Sequence, residues 1–276
     1  MTSEPSKLLT LSNPDDWIFF AKGNANLVYK YIGVNTPHLI KNRTLLRLRQ
    51  KGQEYNTKIV YKFTEKVRKD FPELITLTLA RVTFQIEGGL NDGFGLLMEN
   101  IIPDSAQIKQ KTAYYTIYTY DHGLVVEIKP KWLRKTRYGC RNCAHHRYKH
   151  GDNADWCVLS LLGDSDTVES TLRNMHLPPK ACGPLTGYME SDDSVLKRLQ
   201  RRQRPLDELE TLKEAQVNDE LCYQMSLRDT TVFFNLKIES QEWKYSDVVM
   251  TDFDPKSSKK WRHWVSTERK LIQDFY

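Results

Sequence analysis

The chain has 276 residues, enough for one large domain or two lobes with separate cores, and its hydrophobic fraction of 39% beside a charged fraction of 28% is the balance expected of a soluble globular protein. No apolar run approaches the roughly 18 residues that a membrane-spanning helix needs, and the N-terminal MTSEPSKLLTLSNPDDW has neither the basic start nor the apolar stretch of a secretory signal. The net charge of +6, from 41 basic and 35 acidic residues, is too modest to mark a nucleic-acid binder by itself, yet the basic residues cluster at Lys41–Arg49, Lys129–Lys149, Lys197–Arg204 and Lys256–Arg262.

Residues 1–16 read as a polar tail. Trp17-Ile-Phe-Phe20 and Leu27-Val-Tyr29 then flank Ala21-Lys-Gly-Asn-Ala-Asn26, the pattern of a strand, a small-residue turn and a returning strand. Another strand is expected at Thr44–Arg49. Over Asn56–Phe71 the spacing of Ile59, Phe63 and Val67, with Val60 beside them, predicts an amphipathic helix. Gly93–Ile102 runs through apolar residues into Glu99-Asn100 and then Pro103, an expected crossing from one lobe to the next, so lobes are drawn at 1–102 and 103–276. In the second half, Ala113–Tyr120 and Leu124–Lys131 flank Asp121-His-Gly123, a hairpin signal. Asp192–Ala215 reads as a helix interrupted at Pro205, its Lys197-Arg-Leu-Gln-Arg-Arg-Gln-Arg204 segment forming an exposed basic face. Alternation of Val232, Phe234, Leu236 and Ile238 predicts a half-buried strand over Thr230–Ile238, with Tyr245–Thr251 as its partner. The order of elements in the first half is that of a protein-kinase-like N-terminal lobe, and the fold class expected is α+β.

Three constellations carry chemistry. In Val125-Val-Glu-Ile-Lys-Pro-Lys131, strand alternation sets Glu127, Lys129 and Lys131 on one face, and Pro130 marks a strand end or a sheet edge. A protective edge strand explains this motif as well as an anion site does. Next, a hairpin turning about Ser240-Gln241 sets Asp229 opposite Asp252, with Asp254 close by. Facing carboxylates invite a divalent cation or a shared proton, and phosphoryl transfer needs acidic groups for both nucleophile and Mg²⁺, although strand-end carboxylates in water fit equally well. Beyond them, Pro255–Trp264 looks like a helix start that would put Lys256, Lys260 and Trp264 on one face. Last, Cys140-x-x-Cys143, with a histidine and Cys157 nearby, has the residue types of a zinc site, while local packing is the preferred reading of a single CxxC. The five cysteines are expected to be thiols in a reducing compartment.

These pieces, in this order, resemble the inositol-pentakisphosphate 2-kinase family of fungal type, from Trp17 to Trp264. The most specific mark is Glu127-Ile-Lys-Pro-Lys131; others are Gly23-Asn-Ala-Asn26, Leu46-Arg-Leu-Arg49, Arg141-x-x-x-His145-x-x-x-Lys149, Arg228-Asp229, and Asp252-x-Asp254 followed by Lys256. The resemblance implies a protein-kinase-like fold of two lobes, an antiparallel sheet in each, and an enlarged C-terminal lobe for the inositide. It implies ATP- and Mg²⁺-dependent phosphorylation of the 2-hydroxyl of inositol 1,3,4,5,6-pentakisphosphate to the hexakisphosphate. It makes Asp229 the general base, Asp252 the Mg²⁺ ligand with Asp254 as helper, and Lys129 a bridge between the transferring phosphoryl group and the acceptor. Gly23, Asn24 and Asn26 would approach the ATP phosphates, Arg47 would replace the kinase strand lysine, and Met98-Glu99-Asn100 would hold the adenine. Lys131, Arg141, Lys149, Lys256 and Lys260, with Arg81, would grip the acceptor phosphates. Lysine and arginine from several clusters suit a compact polyanion, whereas a flat RNA-binding face would want interleaved exposed aromatics.

The rival reading is a non-catalytic adaptor that binds RNA or is stapled by zinc, using Lys129–Lys149 and Lys197–Arg204. The expected partners are ATP and inositol pentakisphosphate, with no membrane and no nucleic acid, for a monomer in the nucleus or cytoplasm.

Overall fold

A computed structural model describes residues 8–34, 36 and 38–276. The chain divides into two compact units, Met1–Asp104 and Ser105–Tyr276. The architecture is α+β, with one sheet in each unit.

The polar tail expected over residues 1–16 lies partly outside the described residues. From residue 8 onward it is structured: Thr10–Leu11 (β1) pairs in parallel with Thr78–Val82 (β5), because Leu11 is apolar enough to join the core beside Trp17 and Tyr31. Between them come Trp17–Lys22 (β2), Asn26–Tyr31 (β3), Thr44–Arg49 (β4) and the helix Thr57–Val67 (α1), and Phe94–Glu99 (β6) closes the unit. The sheet order is β1-β5-β6-β4-β3-β2. A strand covered on both faces is buried along its length instead of in alternation. In β4 every residue from Leu45 to Arg49 is accordingly buried, with Leu46 and Leu48 packed among Trp17, Tyr31 and Leu97.

Helix α1 starts where Asn56 Oδ1 accepts the Ile59 N–H at 3.0 Å and Asp92 accepts the Thr57 N–H at 2.7 Å, an acidic group at the positive end of the helix. It buries Thr57, Val60, Thr64 and Val67 against Leu77 and Leu96. The face is rotated from the Ile59/Phe63 stripe that apolarity alone predicts, and Ile59 is exposed. Two threonines lie inward because their hydroxyls find partners there, as in Thr64 Oγ1 donating to the Val60 carbonyl at 3.0 Å.

The second unit holds Gln107–Lys111 (β7), Tyr115–Tyr120 (β8) and Gly123–Ile128 (β9), then the helices Arg141–His150 (α2), Ser165–Asn174 (α3), Pro179–Glu190 (α4), Val195–Arg202 (α5) and Asp219–Ser226 (α6). The strands Thr231–Glu239 (β10) and Glu242–Thr251 (β11) follow, and the helix Trp261–Asp274 (α7) ends the unit. Its sheet is antiparallel, in the order β11-β10-β9-β8-β7. Strand β9 is therefore interior, and Pro130 lies past its end rather than at a sheet edge. Gly123 is required by close approach, since a Cβ there would lie 2.2 Å from the Leu236 carbonyl oxygen.

Two expectations about helices are corrected by the structure. Helix α5 stops at Arg202, and the rest of Asp192–Ala215 consists of irregular chain and short 3₁₀ turns. The basic run Lys197–Arg204 does present an exposed face, with Arg201, Arg202 and Arg204 exposed, although Lys197 donates to the Glu190 carbonyl, Arg201 to the Asp192 carbonyl, and Arg204 pairs with Glu220. The helix after Asp254 begins only at Trp261, so Lys256 and Lys260 share no helical face.

Candidate active site

The ladder between β10 and β11 turns at Ser240 and Gln241, both left-handed with φ of 51° and 68°, the two-residue loop that matches strand twist. A turn there would set Asp229 opposite Asp252 if the ladder were regular. It is not regular: Asn235 faces Asp247 but Leu236 faces Tyr245, so Ser246 is an extra residue on β11. The bulge slips the register by one, Thr231 faces Thr251, and Asp252 falls one residue short of the position opposite Asp229. Asp252 then leaves the strand with φ of 61°, and its Oδ2 accepts the Thr231 hydroxyl at 2.9 Å.

Asp229 faces two lysines instead of a carboxylate. Lys131 Nζ lies 2.6 Å from Asp229 Oδ1, and Lys256 Nζ contacts Oδ2. Burial alone would raise the Asp229 carboxyl, but Lys131 and then Lys256 outweigh it and hold the group well below the usual carboxylate range. Lys131 arrives by a route that alternation did not foresee. Strand β9 ends at Ile128, and Lys131 has φ of 51°, so Glu127, Lys129 and Lys131 are not one strand face. Lys129 is exposed just past the strand end.

An irregular segment bearing Lys131 needs partners for its buried backbone groups, and side-chain amides provide them. Gln203 Oε1 accepts the Leu133 N–H at 2.9 Å, and its Nε2 donates to the carbonyls of Lys131 at 2.8 Å and Leu227 at 3.2 Å. Asn142 takes both backbone groups of Trp132, at 3.2 and 2.7 Å, and Gln200 donates to the Leu133 carbonyl at 2.9 Å. Gln203 thus ties the segment before Asp229 to the segment holding Lys131. The Trp132 ring is sandwiched by Arg228 at 4.4 Å and Arg141 at 4.2 Å. Arg228 donates to the carbonyls of Gln224 and Arg204, and burial, then Arg141 and Arg134, pull it down to about 9.

Arg141, expected to grip acceptor phosphates, is buried and paired through Nε with the buried carboxylate of Glu268 on α7, which also accepts the Tyr276 hydroxyl at 3.1 Å. The pair joins α2 to α7. Trp264 likewise packs in the core with Trp132, Leu209 and Leu221. Lys149 and Lys260 are exposed, and Lys256 has its backbone N–H fixed on Ser226 Oγ at 3.2 Å. Between Arg141 and Lys149, His145 is pulled down to about 4 by burial, then by Arg141, Lys149 and Lys131, which marks a cationic neighbourhood around a neutral imidazole.

Asp252 and Asp254 sit two residues apart on one turn, Asp254 N–H donating to the Asp252 carbonyl at 2.8 Å. Two carboxylates offer the hard oxygen donors that Mg²⁺ takes together with substrate phosphates and water, so this pair fits that ion.

In the first unit, the Gly23–Asn26 turn is closed by Gly23 N–H on the Asn26 carbonyl at 2.9 Å and stitched by Gln50 to the Gly23 and Asn26 carbonyls. A Cβ on Gly23 would meet nothing closer than 4.0 Å, which leaves its backbone open to a ligand. Gln53 donates to the Asn24 carbonyl at 3.3 Å, and Asn26 Oδ1 accepts from Arg49 at 2.9 Å. Arg47 is buried in β4, Arg81 is exposed on β5, Glu99 pairs with Arg43, and the Asn100 N–H is taken by the Arg43 carbonyl at 2.7 Å.

Cys140, Cys143 and Cys157 converge, their sulfurs within 4.8 Å of one another and Cys140 Sγ 3.5 Å from Cys157 Sγ. Hydrogen bonds from Cys143 and Cys157 hold the Cys140 thiol low, and contact with Cys140 pushes the other two up. Three thiols are three of the four ligands that a tetrahedral zinc takes, and Cys157 is the member that the spacing of CxxC leaves out. All five cysteines are free thiols. Sequence reasoning also missed Asn142, Gln200, Gln203 and Glu268, whose partners are remote in the chain; no local pattern marks them.

No family model matches the chain. Curated relatives do. The inositol-pentakisphosphate 2-kinase of Kluyveromyces lactis is 26% identical over 275 residues, covering 92% of this chain and 94% of that protein. That of Yarrowia lipolytica is 27% identical over 293 residues, covering 97% and 94%. The Saccharomyces cerevisiae protein of the same name is 29% identical over 160 residues, and the match spans about half of each, 54% and 53%.

Proposed function

For a chain that belongs to the inositol-pentakisphosphate 2-kinase family, we propose that it transfers the γ-phosphate of ATP to the 2-hydroxyl of inositol 1,3,4,5,6-pentakisphosphate, giving the hexakisphosphate and ADP. The kinase-like two-lobed fold and the dependence on Mg²⁺ belong to the same proposal. The observation that carries it is Asp229, a carboxylate set between Lys131 and Lys256 at the open end of a β-hairpin whose other strand leads to Asp252 and Asp254.

Asp229 takes the proton of the 2-hydroxyl while that oxygen bonds to the γ-phosphorus and the bond to the ADP oxygen breaks. Lys129, Lys131 and Lys256, with Lys149 and Lys260, hold acceptor phosphates and offset the charge spread over the transferring group. Asp252 and Asp254 would hold Mg²⁺, which neutralises phosphate charge when bound. The open backbone of Gly23, with Asn24, Asn26 and Arg47, serves the nucleotide phosphates, and the Glu99-Asn100 stretch the base.

The test is to incubate the protein with ATP, Mg²⁺ and inositol pentakisphosphate and to look for the hexakisphosphate. Asp229→Asn is expected to lower turnover by about two to four orders of magnitude, the usual range for loss of a general base, while acceptor binding survives. Absence of product from the unmodified protein overturns the proposal.

A further inference from the structure

Each oxygen of the Asp229 carboxylate is held by a different ammonium group, Oδ1 by Lys131 at 2.6 Å and Oδ2 by Lys256. A base must bring an oxygen within hydrogen-bond distance of the hydroxyl it deprotonates, and a carboxylate bridged by two cations is a poor proton acceptor. The same lysines are those the kinase reading assigns to acceptor phosphates. Each ammonium has three N–H donors, but a phosphate that binds the remaining ones draws the long side chain and its charge away from Asp229.

We infer that Asp229 and the acceptor's phosphates compete for Lys131 and Lys256, so that the base is locked in the ligand-free enzyme and released by the polyphosphate it acts on. This rests on the kinase reading of the site. Geometry makes the exchange local. The lysine backbones are fixed, Lys131 through Gln203 and Lys256 through Ser226, so only the two long side chains need to swing. The triad is half-buried, with side-chain exposures of 34% for Lys131, 17% for Lys256 and 46% for Asp229, so an anion can reach the ammoniums from the solvent side. A phosphate dianion is a stronger partner for an ammonium than a carboxylate monoanion is. Specificity follows. Water carries no phosphate and leaves the lock closed, so hydrolysis of ATP without acceptor gains nothing from Asp229.

Calorimetric titration with inositol 1,3,4,5,6-pentakisphosphate tests the competition. Asp229→Asn is expected to bind the probe about fivefold more tightly than the unmodified protein, because the lysines are no longer withheld. In a Lys131→Gln/Lys256→Gln background the same substitution should change affinity by no more than about twofold, since no lysine remains to release. An equal gain in both backgrounds, the mark of a general charge effect, overturns the inference, and so does no gain in either. A measurement on the unmodified protein guards against misfolded variants: the ¹³C carboxylate resonance of Asp229 should move when the probe is added, and a stationary resonance is a refutation. Turnover with ATP and Mg²⁺ is read separately. Its absence sinks the kinase reading, whereas the binding cycle decides the competition alone.

Discussion

Replacing Gln203 by methionine keeps the length and volume of the side chain and removes its amide. The substitution strands three backbone groups: the Leu133 N–H, bonded at 2.9 Å, and the carbonyls of Lys131 and Leu227, at 2.8 and 3.2 Å. Gln203 is 1% exposed, so water cannot replace the lost partners without opening the structure. A stranded buried N–H costs about 1–3 kcal/mol and an under-satisfied carbonyl somewhat less, giving a loss of about 3 kcal/mol in all. For a unit of this size that corresponds to a fall in melting temperature of about 6–12 °C, followed by circular dichroism. Turnover should fall as well, because Gln203 sets the spacing of the Lys131 and Asp229 segments. Gln203→Glu keeps one acceptor but aims a carboxylate at two carbonyls, so it should be no better than methionine. A Gln203→Met protein that melts within about 2 °C of the parent and turns over normally would refute the idea that this amide frames the site.

Removing Arg141 tests whether it is a ligand or a structural residue. Arg141→Met leaves Glu268 charged and alone in the interior and should destabilise by about 3–5 kcal/mol, while adding Glu268→Met should recover most of that loss, both read by urea unfolding. A purely ligand-binding Arg141 would instead raise KM without moving the unfolding midpoint. The three-thiol cluster is expected to retain about one zinc per chain, measured by elemental analysis of protein purified without chelator, and Cys157→Ser should lower that content. Metal-free protein with three reactive thiols would assign the cluster to packing.

Much of the sheet architecture is legible in the sequence because apolar alternation in β10, the apolar run of β9 and the turn at Ser240-Gln241 are local signals. The register of that hairpin is not. One extra residue, Ser246, has the same polar character with or without a bulge, yet it decides which side chain faces Asp229. The charge of Arg141 reads outward in a basic helix until Glu268, 127 residues away, is known to meet it. Periodicity likewise places Ile59 and Phe63 inside α1, whereas hydroxyl hydrogen bonds let Thr57 and Thr64 take those positions. Where a side chain's partner is remote, composition and spacing carry no trace of the pairing.

The amides of Asn142, Gln200, Gln203 and Gln224 carry no charge, although Lys131, Arg141, Arg228 and Asp229 stand beside them in the chain or in space. An ion-paired scaffold would be pulled apart or repolarised each time a polyanion arrived, because its lysines and arginines would be drawn to the newcomer. Neutral hydrogen bonds feel that field only weakly and do not titrate between mild acid and mild base. The division of labour lets the ammonium groups rearrange around a ligand while the backbone that carries them stays in register.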